Sequence, residues 1–386
     1  MSTPSLPCYP SLPGFARSLP AALGICVVAL LTLGIFITQP AEARGRPGPP
    51  APAPAEPGPR FWHSMSGDGS ESEHGVYMYG GDTMDADGNW AQLSEFWFYG
   101  LESSAWRLIK PSGRLKPGTK VHASFSCDND QCILAHGYPS GRKGSATDTW
   151  IYTKSTNSWS ELNCTTVFCP GPRRIAAFTF DAYRGNHVLF GGEGRRPYDF
   201  LGDTYTFTGG VWTQHFPKHS PSPRFAAATA FVPTLNKVVL FGGQIGYSES
   251  PNACDMWAWD GTEWQWHQIT QSGGPCLAAH NMAWDTSTVP PRLVVTGGYK
   301  RWNYMERNPD VWAFTFNDDG TSGTWTQQAP TSLSCSYAVP YVGLGEPLYP
   351  ESKMAADGSP NRKVFFGGGE NLENGAFAYA GLIVCD

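Results

Sequence analysis

The chain has 386 residues, of which 13% are aromatic, and it carries 44 glycines and 33 prolines. Charged residues make up only 16%, against roughly 25% in ordinary soluble chains, a composition that points away from a helical bundle, a coiled coil or a disordered tail. The formal net charge of −6 lacks the basic footprint that non-specific nucleic-acid binding needs.

Residues 21–37 (AALGICVVALLTLGIFI) are an uncharged apolar run behind Arg17, followed by the small-x-small triplet Ala41-Glu42-Ala43. Residues 1–43 therefore read either as a signal peptide cleaved after Ala43 or as an uncleaved N-terminal anchor, since the run is nearly long enough to span a bilayer. Residues 44–59 (RGRPGPPAPAPAEPGP) are a Pro/Ala-rich spacer without a core of its own. The folded part, 60–386, carries eight of the ten cysteines. An even count behind such a leader favours disulfides in an oxidising compartment, and the absence of paired CxxC knuckles argues against structural zinc.

A short apolar run ending in two glycines recurs as VYMYGG at 76–81, HVLFGG at 187–192, KVVLFGG at 237–243, LVVTGG at 293–298 and KVFFGG at 363–368, with a degenerate copy, CILAHGY, at 132–138. After each of the first five copies in chain order comes an acid two positions ahead of an aromatic: Glu95/Trp97, Asp148/Trp150, Asp203/Tyr205, Asp255/Trp257 and Asp310/Trp312. A second aromatic follows at Trp106, Trp159, Trp212, Trp264 and Trp325, and several copies open with Pro-Arg, as at 171–177 (GPRRIAA) and 222–228 (SPRFAAA). Six copies of three or four short strands with Gly-rich turns describe an all-β chain, a six-bladed β-propeller. A lone four-stranded sheet has two apolar faces to bury, and radial stacking buries both.

These glycine pairs and spaced aromatics resemble the kelch-repeat family, over residues 60–386. The resemblance implies a propeller like the central domain of galactose oxidase, a fold that hosts enzymes, lectin-like modules and scaffolds alike. The sixth copy departs from the pattern: 331–349 reads as an insertion, and the last blade as three strands or as four with a tight turn near Ala380-Gly381. In a propeller, the loops joining strands two to three and those crossing between blades share one face, and the hairpins share the other. That geometry pairs Cys127 with Cys132, Cys164 with Cys169 and Cys254 with Cys276, and leaves Cys335 with Cys385, a pair that fastens the ring only if a fourth strand brings the chain end to the crossover face.

The residues after the glycine pairs are Asp82, Glu193, Gln244, Tyr299 and, one position later, Glu370. With Arg60, Arg173 or Arg174, and Arg224 from the strand starts, they converge on the channel mouth of the crossover face. There they form either a binding site or a ring of ion pairs holding blades together. The loops at 192–200 and 298–308 add Arg195, Arg196, Tyr198, Lys300, Arg301, Trp302, Tyr304 and Arg307, which offer charge and stacking surface to a glycan or an acidic peptide, or lie as solvated loops. His63, His122 and His280 fall at similar places in the inner strand, matched by Ala177 and Ala227, and are expected to pack there rather than bind metal. Asp85-x-Asp87-Gly88-Asn89 lacks the rest of a calcium loop and reads as a polar turn. Asn163-Cys164-Thr165 is a formal glycosylation sequon.

The reading that follows is an extracytoplasmic propeller that binds a carbohydrate or protein on its crossover face, with no cofactor, metal or nucleic acid, and with a membrane only if the leader stays uncleaved. A second reading is a metal-independent sugar-active enzyme resembling the kelch-type sialic acid epimerase/mutarotases. It would use Glu193 or Glu370 as acid/base and Arg174 and Arg224 as a carboxylate clamp. A third is a structural cell-surface module. The copper centre of kelch-like oxidases has no equivalent residue set here.

Overall fold

The computed structural model describes residues 56–385 apart from 59, 61, 68–74, 85–88, 101–102, 140–144, 198, 247–251, 287, 302–305, 309, 329–334, 338–352, 357–362 and 372–375; from 335 onward it is the backbone that is described. The leader, most of the spacer, the Asp85–Asp87 turn, Tyr198, Trp302 and Tyr304 lie outside the described residues, as do the side chains of Arg301, Arg307 and Glu370.

The described residues are all-β, without a helix. Strands Ser64–Gly67, Gly75–Tyr79, Phe96–Gly100 and Ala105–Leu108 form a first antiparallel sheet in chain order. Ser124–Cys127, Gln131–Ala135, Thr149–Thr153 and Ser158–Glu161 form the second, and Ala177–Asp181, Asn186–Glu193, Phe200–Thr208 and Val211–His215 the third. The fourth (Ala228–Val232, Lys237–Phe241, Met256–Asp260, Gln265–Ser272) and the fifth (Asn281–Asp285, Arg292–Thr296, Val311–Phe316, Ser322–Gln328) join edge to edge. A parallel pairing of Thr270–Ser272 with Ser322–Thr324 makes them one eight-stranded sheet. The last sheet runs Lys353–Ala356, Lys363–Asn371, Ala376–Cys385, Cys335–Tyr337.

That order corrects the reading of 331–349 as insertion alone: residues 335–337 form the outermost strand, so the last sheet has four strands, one taken from ahead of the other three. The register sets Cys335 opposite Cys385. The first strands of successive sheets lie against one another in a closed cycle, and Lys353–Ala356 touches Ser64–Gly67.

Alternation along each strand sends side chains to two neighbours. Tyr77, Tyr79, Phe96 and Phe98 pack with Leu134, Tyr152 and Trp159 of the second sheet. Ile133 and Ala135 face the third sheet's Leu189, Phe207 and Trp212, whose Val188 and Phe190 meet Leu240, Trp259 and Trp266 of the fourth. The second aromatic of the fourth copy is Trp266 rather than Trp264. Trp266 pairs with Trp259 and donates its indole N–H to Thr204 Oγ1 at 2.9 Å, as Trp212 does to Thr149 Oγ1 at 3.1 Å. Trp264 sits in the turn, 43% exposed and stacked on His215.

The disulfides Cys127–Cys132, Cys164–Cys169 and Cys254–Cys276 are formed as expected, which fits an oxidising, extracytoplasmic environment. No helix among the described residues is long and apolar enough to cross a membrane.

Candidate functional site

Just ahead of each of the first four sheets a buried cation enters: Arg60, Lys120, Arg173 and Arg224, each 1–2% exposed. Each pairs with the acid of its own acid-x-aromatic motif, as Arg60–Glu95 at 2.6 Å, Lys120–Asp148 at 2.5 Å, Arg173–Asp203 at 2.7 Å and Arg224–Asp255 at 2.5 Å. The acid's second role is to accept the aromatic's N–H or O–H, from Trp97, Trp150, Tyr205 and Trp257. Burial alone would push Asp203 and Asp255 upward, but the hydrogen bonds and charge of Arg173 and Arg224 outweigh it and hold both carboxyls below their usual range.

Arg224 is the fullest case. Its Nε donates to the Ser222 carbonyl at 2.9 Å, one terminal nitrogen to the Gly242 carbonyl and Asp255 Oδ1, and the other to Ser222 Oγ and Asp255 Oδ2. A guanidinium has five N–H donors, and all five are used. Arg224 is therefore part of the frame and has no donor left to clamp a ligand carboxylate. In the fifth sheet Leu277 takes the cation's place, and Lys300 reaches Asp310 from the two-three loop at 3.3 Å.

A second repeated device lies two residues on. Trp62, His122, Ile175, Ala226 and Ala279 all have φ between 53° and 57°, and each passes its carbonyl to the backbone N–H of the next, from Trp62–His122 to Ala226–Ala279, at 2.8–3.0 Å. This register separates the three histidines. His122 belongs to the left-handed position and rests on the Trp62 ring at 4.3 Å, whereas His63 and His280 stand one residue further along. The channel beyond, walled by Ser64, Ser124, Ala177, Ala228 and Asn281 among others, has a volume of about 120 Å³, below the roughly 300–1,000 Å³ of ligand pockets.

Of the residues after the glycine pairs, Tyr138 and Glu193 meet through Arg174, and Gln244 and Tyr299 meet through Asn252. Glu193 is buried and bound to Arg174 at 2.6 Å, and the Arg174 guanidinium lies 5.1 Å from the Tyr138 ring centre. Tyr138 holds the post-glycine position of the degenerate copy, so CILAHGY was the signal for it. Gln244 donates to the Gly246 carbonyl at 3.0 Å, and its buried Oε1 has no hydrogen-bond partner among the described residues. Asn252 donates to the carbonyls of Tyr299, at 2.6 Å, and Lys300. Asp82 is buried, with Oδ1 unpartnered among the described residues, and burial pushes its carboxyl up to about 6.

Away from this face, Asp260, Glu263 and His267 approach one another within 4.8 Å. Asp260 is already matched by Lys237 at 3.1 Å and Arg184 at 3.7 Å, so the trio offers little net charge to a cation. No protein-family model matches the chain, and no curated protein matches it.

Proposed function

We propose that residues 60–386 form a six-bladed kelch-type β-propeller outside the cytosol, and that it is a carbohydrate- or protein-binding module working through its crossover face. The closed cycle of first strands and six four-stranded units support the propeller. The observation that carries the binding reading is a contrast between repeated and varied positions. The clamp cation and its acid recur in four sheets with the same partners, whereas the adjoining post-glycine position takes four residue types over five sheets: Asp82, Glu193, Gln244, and tyrosine at both 138 and 299. A constant frame under a varied rim is the pattern of a recognition surface on a rigid scaffold, while a purely structural ring would repeat its rim as it repeats its clamp.

The test is a glycan array and an extracellular-protein display screen with the full chain, followed by hydrogen exchange on the best ligand. Slowed exchange around 118–120, 145–148 and 193–196, with the hairpins at 182–185 and 234–236 unchanged, is the expected result. Protection confined to the hairpins would overturn the assignment of the face. No ligand from either screen would leave the structural-module reading.

One observation favours the enzyme reading, and it moves the acid/base away from Glu193, which is bound to Arg174. Asp82, with its raised pKa and an oxygen that has no partner among the described residues, has the character of a general acid/base. Mutarotation of a reducing sugar with a pH limb near 6, lost in Asp82→Asn, would establish it.

A further inference from the structure

On the crossover face, beside the second sheet and away from the channel, lies a cleft of about 690 Å³. It is the size of a small-ligand pocket, and several times the volume of the channel. Its walls come from four separate segments: the strand start at Thr119–Lys120, the two-three loop at Ser145–Asp148, the crossover at Glu161–Thr165, and Arg195 from the next sheet's loop. Three of these segments are fixed in place. The Lys120–Asp148 ion pair anchors the first two to each other, and the Cys164–Cys169 disulfide closes the crossover.

The chemistry of the walls selects among ligands. The charges balance, Lys120 and Arg195 against Asp148 and Glu161, and Lys120 and Asp148 are already bound to each other, so the cleft exerts no strong pull on an anion or a cation. Thr119, Ser145 and Thr165 already donate to Gln92, the Gly194 carbonyl and Asn163 and offer acceptor capacity, the exposed Thr147 hydroxyl and the Asn163 amide N–H groups add donors, and half-buried Leu162 supplies apolar surface beside the edge of the buried Trp150. Mixed donors and acceptors over a small apolar patch match a molecule that carries hydroxyls on one face and C–H groups on the other. We infer that this cleft is the ligand site of the module and that it takes a neutral saccharide. The inference rests on the reading of the crossover face as a binding surface, and it moves the site from the channel mouth to the second sheet.

The experiment compares the full chain, made without glycosylation so that Asn163 is bare, with Thr147→Trp and Arg195→Ala on an array of neutral and sialylated oligosaccharides. Thr147 and Arg195 are exposed and lie outside the clamp, so both variants are expected to melt with the parent. Tyr183→Ser, on a hairpin of the third sheet, is the control. The expected result is binding to neutral oligosaccharides that falls at least tenfold in Thr147→Trp, falls severalfold in Arg195→Ala and is unchanged in Tyr183→Ser. Neutral-sugar binding that survives both cleft variants but is lost in Arg174→Ala/Glu193→Ala would overturn the cleft and leave the binding module standing. Binding of sialylated sugars alone would overturn the ligand class. No binding to any sugar would overturn the cleft proposal together with the carbohydrate half of the functional reading.

Discussion

An arginine with all five donors taken and 1% of its surface exposed is a different object from the arginine that the sequence pattern suggests. Removing Arg224 strands Asp255 as a partly buried, unpaired carboxylate and frees the Gly242 carbonyl; breaking one side of a buried pair costs about 3–5 kcal/mol. Arg224→Ala is expected to lose about that much in urea unfolding, whereas Arg224→Met/Asp255→Leu, which leaves no orphan charge, recovers part of the loss. Equal losses in the single and double variants would mean that packing, not charge, is what Arg224 contributes. Asp82 behaves in the opposite sense. Its carboxyl titrates near 6 in the folded protein against an ordinary 3.8, so the folded state holds the proton more tightly. The stability this gives is complete below 3.8 and is lost as pH rises through about 6. Asp82→Asn removes the dependence, and is expected to stabilise the protein at pH 7.5 by at most about 3 kcal/mol relative to the parent and to have no such advantage at pH 4. A difference between the two that does not change with pH would rule out the titration as its source.

At the scale of the strand, the glycine pair has a steric cause that can be separated from its conformational one. Gly191 has φ +64°, and an added Cβ would lie 2.5 Å from the Arg224 carbonyl oxygen of the next sheet. Gly113 also has a positive φ, +82°, but with open space around it. Gly113→Ala is thus expected to cost about 1 kcal/mol, the left-handed penalty alone. Gly191→Ala should cost clearly more, because two backbones would have to part; equal melting temperatures for the two variants would remove the steric argument. The place of the pair was legible in the sequence, since its recurrence marks the second-strand end. Exact register was not. Trp264 and Trp266 both fit a spacing that varies with turn length, and only the pairing with Trp259 separates them. In the same way His122 aligns with His63 by eye, but it occupies the left-handed position one residue earlier. Lys120 was missed because Thr-Lys stands where other copies have Pro-Arg, although a lysine at that position reaches the same acid. The cleft was missed for a different reason. Its walls are distant in sequence, and no local pattern records that four loops leave a gap.

For the whole molecule the decisive question is how the cycle of sheets is closed. The first strands at its two ends, Ser64–Gly67 and Lys353–Ala356, touch along the inside, but the first and last sheets are fed by opposite ends of the folded chain, so that seam has no covalent continuity. The last sheet deals with its own end differently. Its outermost strand, Cys335–Tyr337, precedes the other three in sequence and pairs with the C-terminal strand, with Cys335 facing Cys385 across the register. A disulfide between these two would tie the C-terminus back to the crossover out of the fifth sheet, closing a loop of about 50 residues, a constraint worth roughly 4 kcal/mol. Without it, the final strand would be held by hydrogen bonds and packing alone, and the seam beside the first sheet would be the first place to open. The expectation is that no cysteine within residues 60–386 of the unreduced protein reacts with iodoacetamide under denaturing conditions, and that Cys335→Ser/Cys385→Ser melts about 6 °C below the parent. In that variant, hydrogen exchange should accelerate first in 363–385 and in Ser64–Gly67. Alkylation of Cys335 and Cys385 in the unreduced parent would refute the bond. An intact bond whose loss left the exchange of Ser64–Gly67 unchanged would show that the seam is held by packing between the first and last sheets, and not by the C-terminal latch.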